Sequence, residues 1–119
     1  MVDYRRLKIS TVDAVTVVGF VDRKILDAVN IQELSEELIA LVDQDRHTNL
    51  LLNFSEVEFL SSGALNLLII LNNKVKASDG QIKLCELNEN IYEVFKITRL
   101  NQLFDIHKNE TEGVAAFSE

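Results

Sequence analysis

Ser61, Ser62 and Gly63 form the stretch of this sequence best suited to phosphoryl chemistry. They lie just beyond an apolar run, Asn49 to Phe54, and open a segment in which Ala64, Leu67, Leu68, Leu71 and Val75 recur at helical spacing. A serine at a helix start caps it, because its side-chain oxygen accepts a backbone N–H of the first turn. No Glu or Gln follows either serine at the third position, so no capping box fills the remaining donors. Unfilled N–H groups and the positive end of the helix dipole suit an anion, and Gly63 lets a phosphoryl group or another backbone come close. Two readings stay open: a helix cap and nothing more, or a phosphoacceptor. A phosphate there adds roughly −1.5 to −2 charge that the dipole tolerates, so it would act on whatever docks against that surface.

Other reactive groups are isolated. Glu56 and Glu58 flank Val57 near Ser61, but no base in a defined pocket accompanies them, and no catalysis is expected. Asp43, Asp45, Arg46 and His47 read as a solvated helix end. Cys85 reads as a small buried hydrophobe and His107 as a surface residue. One cysteine excludes a disulfide framework or a multi-thiolate zinc site, and two histidines make a His-rich metal site improbable. No metal or cofactor is expected. A net charge of −7 argues against a nucleic-acid partner, and Arg5, Arg6 and Lys8 are too few to reverse it. The first ten residues lack the apolar core of a signal peptide, and Leu67 to Leu71, an apolar run that no other exceeds in length, falls far short of the ~20 residues that span a bilayer. The expectation is a cytoplasmic protein with no membrane insertion. The acidic charge and the lack of an obvious coiled coil suit a monomer.

The elements that must position these residues read as one domain over 1–119. With 119 residues, 47% hydrophobic, the chain should bury roughly two-thirds of its unfolded surface, and the absence of proline argues against linkers. Strands are predicted over Leu7 to Thr11 and Ala14 to Val21, with a turn at Val12-Asp13. A helix is predicted over Ile31 to Asp43, capped by Asn30 with Glu33, and then the apolar strand ending at Phe54. A second helix over Ser62 to Ala77 carries a stripe for the sheet. Leu65, Ile69 and Ile70 widen its apolar surface, either beneath neighbouring helices or as a partner patch rimmed by Asn66, Asn72 and Asn73. A strand over Gln81 to Cys85, a helix over Glu89 to Lys96 capped by Asn88, a strand over Leu103 to His107 and a last helix capped by Asn109 complete the chain. Strand–helix–strand units imply parallel neighbours with right-handed crossovers, hence an α/β layer on a mixed sheet of four to five strands with about four helices. A response-regulator receiver also alternates this way, but it needs a phosphoacceptor Asp where Asn53 and Phe54 stand.

The stretch Asn53 to Leu71 (NFSEVEFLSSGALNLLIIL) resembles the signature of the STAS domain, in which an apolar strand, a short turn and a D-S-[ST]-G segment open the second helix. The similarity runs roughly from Leu7 to Phe117 and includes Val18-Gly19-Phe20-Val21-Asp22, the Gly80 to Asn88 strand and Val94 to Phe104. It implies an anti-sigma factor antagonist: a chain without catalysis that binds an anti-sigma factor which is also a serine kinase, freeing the sigma factor. Phosphorylation of the first serine breaks that complex and a serine phosphatase restores it; ATP belongs to the kinase. The resemblance places the phosphoacceptor at Ser61, with Ser62 second, and partner contacts at Leu60, Gly63, Ala64, Leu65, Asn66, Asp22 and Arg23. Leu60 stands where the family carries its acid, and the segment Arg23 to Asn30 looks like a lengthened loop. The alternative is a constitutive scaffold of the same fold, a subunit of a stress-sensing assembly or of an ABC transporter ATPase.

Overall fold

A computed structural model describes residues 4–43 and 49–118. The chain begins with a hairpin, β1 (Leu7–Val12) against β2 (Val15–Phe20), antiparallel and with Val12 opposite Val15. The turn is therefore Asp13-Ala14, one residue later than predicted. Both residues have positive φ (49° and 67°), as a two-residue turn needs to follow the twist of its strands. Strand pairing overrides the reluctance of alanine to adopt that conformation.

The segment expected as a long loop is ordered backbone. β3 (Lys24–Ile25) pairs in parallel with β5 (Phe59–Leu60), making a separate two-stranded sheet that the sequence did not announce. Two-residue strands are too short to show a period. The helix α1 (Ala28–Asp43) then starts three residues earlier than predicted. Asp27, not Asn30, is its cap: the Asp27 carboxylate accepts the Val29 N–H at 2.7 Å, and its carbonyl accepts the Ile31 N–H at 2.9 Å. The charged turn read at Asp45, Arg46 and His47 lies outside the described residues; Asp43 ends α1 and pairs with Lys74 at 3.1 Å.

The remaining elements are β4 (Asn49–Asn53), α2 (Ser62–Ala77), β6 (Gln81–Cys85), α3 (Glu89–Ile97), α4 (Leu100–Leu103), β7 (Asp105–His107) and α5 (Glu110–Ala116). Part of the predicted last strand is the single turn α4, because a helical turn buries both Leu100 and Phe104 in the core. The main sheet has the order β1-β2-β4-β6-β7, with only β1 antiparallel. The α/β mixed sheet expected from the sequence is thus present, with five strands and five helices.

The two sheet faces are covered unequally. Leu50 and Leu52 of β4 join α1, α2, α3 and α4 in the larger core, while Leu51 between them joins Val15, Val17, Cys85 and Val114 beneath α5. This is why β4 reads as continuously apolar rather than alternating. The helix α2 ends in a Schellman motif, with Gly80 N–H on the Val75 carbonyl (2.9 Å) and Asp79 N–H on that of Lys76 (3.1 Å). Asp79, not Gly80, takes the left-handed position, at φ 59°.

Candidate functional site

Ser61 is fixed from both sides of the chain. Its N–H donates to the Ile25 carbonyl at 3.0 Å, its carbonyl accepts from Leu65 N–H at 3.1 Å, and its Oγ accepts from Ala64 N–H at 3.3 Å. The small β3/β5 sheet thus delivers a half-buried serine, in extended conformation, to the N-terminus of α2. The first N–H groups of α2, those of Ser62 and Gly63, have no carbonyl four residues back to accept them. Both residues are exposed. A Cβ on Gly63 would stand 3.3 Å from Ile31 Cδ1 and 3.7 Å from Ser61 Oγ, so glycine keeps the hydroxyl uncovered and lets α1 approach.

The other expected contact residues divide. Asn66 is exposed and Leu60 half-buried in β5. Ala64 and Leu65 are not surface residues: both are buried in the larger core, because the first turn of α2 must turn an apolar side to the sheet. They support the face from beneath. Asp22 is half-buried and held by Arg6, whose Nη1 lies 2.9 and 3.1 Å from its two oxygens. Arg6 also reaches Glu33 at 2.6 Å, and its backbone N–H donates to Glu37 at 3.0 Å. The hydrogen bonds to Glu33 and then Asp22 raise the guanidinium pKa above its already high value. Arg23 is exposed, and its carbonyl accepts Glu58 N–H (2.7 Å) and Phe59 N–H (3.2 Å), so it builds β5 as well as facing solvent. Asn66 and Asn73 are exposed, whereas Asn72, expected on the same rim, is 1% exposed. Ile70 is exposed at 47%, while Leu65, Leu67, Leu68 and Leu71 are core. The wide apolar surface of α2 is mostly a packing surface.

Asn88 has a part that sequence reading missed. Its Oδ1 caps α3 by accepting Ile91 N–H at 2.8 Å, as predicted, and its Nδ2 donates to the carbonyls of Val57 (3.3 Å) and Glu58 (3.2 Å). One side chain therefore anchors the start of α3 to the turn that leads into Ser61. A capping asparagine can be found from sequence; the distant carbonyls it ties cannot. Between β5 and α3 an apolar cleft of about 70 Å³ opens beside Ser61, with Phe59, Leu60, Leu65, Ile91 and Val94 in its wall and Glu58 and Asn90 at its edge.

Away from this end, Cys85 is fully buried, and burial, with smaller contributions from Glu86 and Glu110, pushes its thiol up to about 12. His107 is half-buried, with Nε2 at 2.9 Å from Asp105, whose carboxylate also meets Lys83 Nζ at 2.7 Å. Partial burial opposes ionisation of Asp105, and the hydrogen bonds from Lys83 and His107 together outweigh it, holding the carboxyl below its usual range. Among the described residues no group of three or more His, Cys, Asp or Glu could hold a metal ion. No described helix is long and apolar enough to cross a membrane.

The chain is similar to BtrV of Bordetella bronchiseptica, provisionally named an anti-sigma factor antagonist, with 26% identity over 93 residues covering 78% of this chain and 79% of that one. Its fold matches an anti-sigma factor antagonist from Mycobacterium paratuberculosis with a TM-score of 0.82 at 23% identity, over 95% of this chain and 93% of the other. It also matches the Bacillus cell fate determinant SpoIIAA in its phosphorylated form, with a TM-score of 0.70 at 17% identity, over 93% and 98% of the two chains. The family model for the STAS domain matches residues 8–113, a span from the first strand to the last helix with Ser61 at its centre, and this protein belongs to the STAS domain family.

Proposed function

We propose that this protein is an anti-sigma factor antagonist that docks on an anti-sigma factor with serine kinase activity, through the end of the molecule that carries Ser61. The observation that carries this reading is the placement of Ser61 Oγ at the exposed start of α2, one hydrogen bond from Ala64 N–H and beside the open N–H groups of Ser62 and Gly63. Unphosphorylated, the protein holds the anti-sigma factor and frees the sigma factor, so it regulates transcription indirectly from the cytoplasm. Phosphorylation of Ser61 places a dianion where the first-turn N–H groups can donate to it, leaving α2 folded. The same charge in a desolvated interface costs on the order of several kcal/mol unless the partner supplies a cation, and the complex separates. A serine phosphatase resets the switch. ATP is the kinase's cofactor, this chain performs no catalysis, and it acts as a monomer.

Leu60 supports a second reading. Where the family places an acid before the serine, this chain packs a half-buried leucine against the core, with no carboxylate to position the hydroxyl. A constitutive scaffold of the same fold, in a stress-sensing assembly or with an ABC transporter ATPase, would not need one. Mass analysis of the protein from its native cells, with the site mapped by fragmentation, separates the two. A single phosphate on Ser61, and loss of binding to a purified anti-sigma kinase on Ser61→Asp, are expected for the switch. Protein that stays unmodified in every growth state and copurifies with an ATPase irrespective of Ser61→Asp would establish the scaffold instead.

A further inference from the structure

The cleft between β5 and α3 is not explained by the phosphorylation of Ser61. Its floor is Leu65 and Ile91, both buried, and its walls are Leu60 from one side and Val94, 37% exposed, from the other. Phe59, 47% exposed, closes one flank with Lys24 Nζ lying 5.7 Å from its ring centre. One turn beyond Val94 the same face of α3 carries Ile97, 79% exposed, so apolar surface continues out of the cleft. At about 70 Å³ the space is well below the roughly 300–1,000 Å³ of pockets that enclose small-molecule ligands, and it suits a single aliphatic side chain.

Charge narrows the occupant further. Glu58 at the edge is exposed, and its carboxylate has no ion pair or side-chain hydrogen bond among the described residues. Of the cations nearby, Lys24 lies over Phe59 and Lys96 pairs with Glu93 at 3.3 Å, while Arg23, whose carbonyl accepts the Glu58 N–H, is exposed and makes no ion pair with the Glu58 carboxylate. An occupant with a cation next to its apolar group therefore meets an unpaired carboxylate, while an acidic one meets repulsion.

We propose that this cleft receives one aliphatic side chain of the protein partner, carried beside a lysine or arginine that faces Glu58, and that Leu60 selects for that anchor. This rests on the reading that a protein partner docks at the Ser61 end. An acid at position 60 would put a carboxylate in the cleft wall and demand a polar or basic group from the partner; leucine rejects such a group by leaving it unpaired. Leu60 thus sets partner choice, and Ser61 beside it sets when the complex forms.

The test uses the isotope-labelled full chain and the dipeptide N-acetyl-Leu-Arg-amide as probe, followed by amide resonances. Saturable shifts confined to Leu60, Leu65, Ile91 and Val94 are expected, weaker with N-acetyl-Leu-Glu-amide. Leu60→Asp should weaken binding at least about tenfold, the factor that losing one buried aliphatic contact brings. Should Leu60→Asp lose its dispersed spectrum, Val94→Glu, at the more exposed wall, replaces it with the same expected loss. Shifts that are absent, or scattered over other surfaces, overturn the anchor. A purified anti-sigma kinase that binds wild type and Leu60→Asp equally also overturns it, yet leaves the antagonist reading standing. Occupancy of the cleft in a protein whose Ser61 is never phosphorylated supports the anchor while removing the switch.

Discussion

The Oγ of Ser61 accepts the backbone N–H of Ala64 at 3.3 Å, so the hydroxyl proposed to accept a phosphoryl group is also the cap of α2. The two roles separate by substitution. Ser61→Ala removes the acceptor and should cost about 1 kcal/mol of stability, within the range of N-cap losses. Ser61→Asp retains an acceptor and adds a charge the dipole favours, so it should melt close to wild type while mimicking the phosphate. Urea denaturation of the two variants checks this; equal losses would remove the cap from the account.

The hairpin turn carries a correctable strain. Ala14 sits at φ 67°, a region that costs an alanine roughly 1–2 kcal/mol and a glycine little. Ala14→Gly relieves this but frees the unfolded chain by about 0.4–1 kcal/mol. The expected net effect is a gain of about 0.5 kcal/mol, read as a higher urea midpoint with unchanged slope.

Gly113 illustrates the opposite case. A Cβ there would lie 2.7 and 2.9 Å from the methyl carbons of Leu51, which is itself fully buried under α5. Gly113→Ala gains about 1 kcal/mol in helix propensity but overpacks a closed contact, at about 1–3 kcal/mol. A net loss of about 1 kcal/mol is expected in thermal or chemical unfolding, and a more stable variant would show that Leu51 has room to move.

β7 is held at the sheet edge partly by Asp105, between Lys83 and His107. Its carboxyl pKa is lowered in the folded protein, so its contribution is present above the unfolded value of about 3.9 and disappears as pH falls through the lower folded value. The side chain is half exposed, and screening keeps the contribution below about 1 kcal/mol. Asp105→Asn should therefore be slightly less stable than wild type at neutral pH, with the gap closing below about pH 4. A gap unchanged across that range would mean the carboxylate does not hold the strand.

Much of this protein is legible along the chain. The period and caps of α2, α3 and α5, the alternation of β6 and the apolar run of β4 are local signals, because each depends on residues within a turn or two of one another. They place Ser61 at a helix start without any structure. The depth of each side chain was less legible. Leu65 and Asn72 share α2 with Asn66 and Asn73, yet the first two are buried and the others exposed, a difference set by which neighbours pack beside the helix.

Tertiary structure alone decided the surroundings of Ser61. The sheet β3/β5 joins residues more than thirty positions apart, each strand too short to carry a pattern, and α1 follows β3 closely with Asp27 as its cap. Asn88 reaches back across a similar separation to the carbonyls of Val57 and Glu58. Through those contacts Leu60, which by sequence is only a missing acid, becomes one wall of an apolar cleft. Local spacing determines which segments are helix or strand, since their hydrogen bonds and apolar faces repeat at fixed short intervals. The pairing of distant backbone groups is a property of the assembled chain, and here it decides what lies next to Ser61.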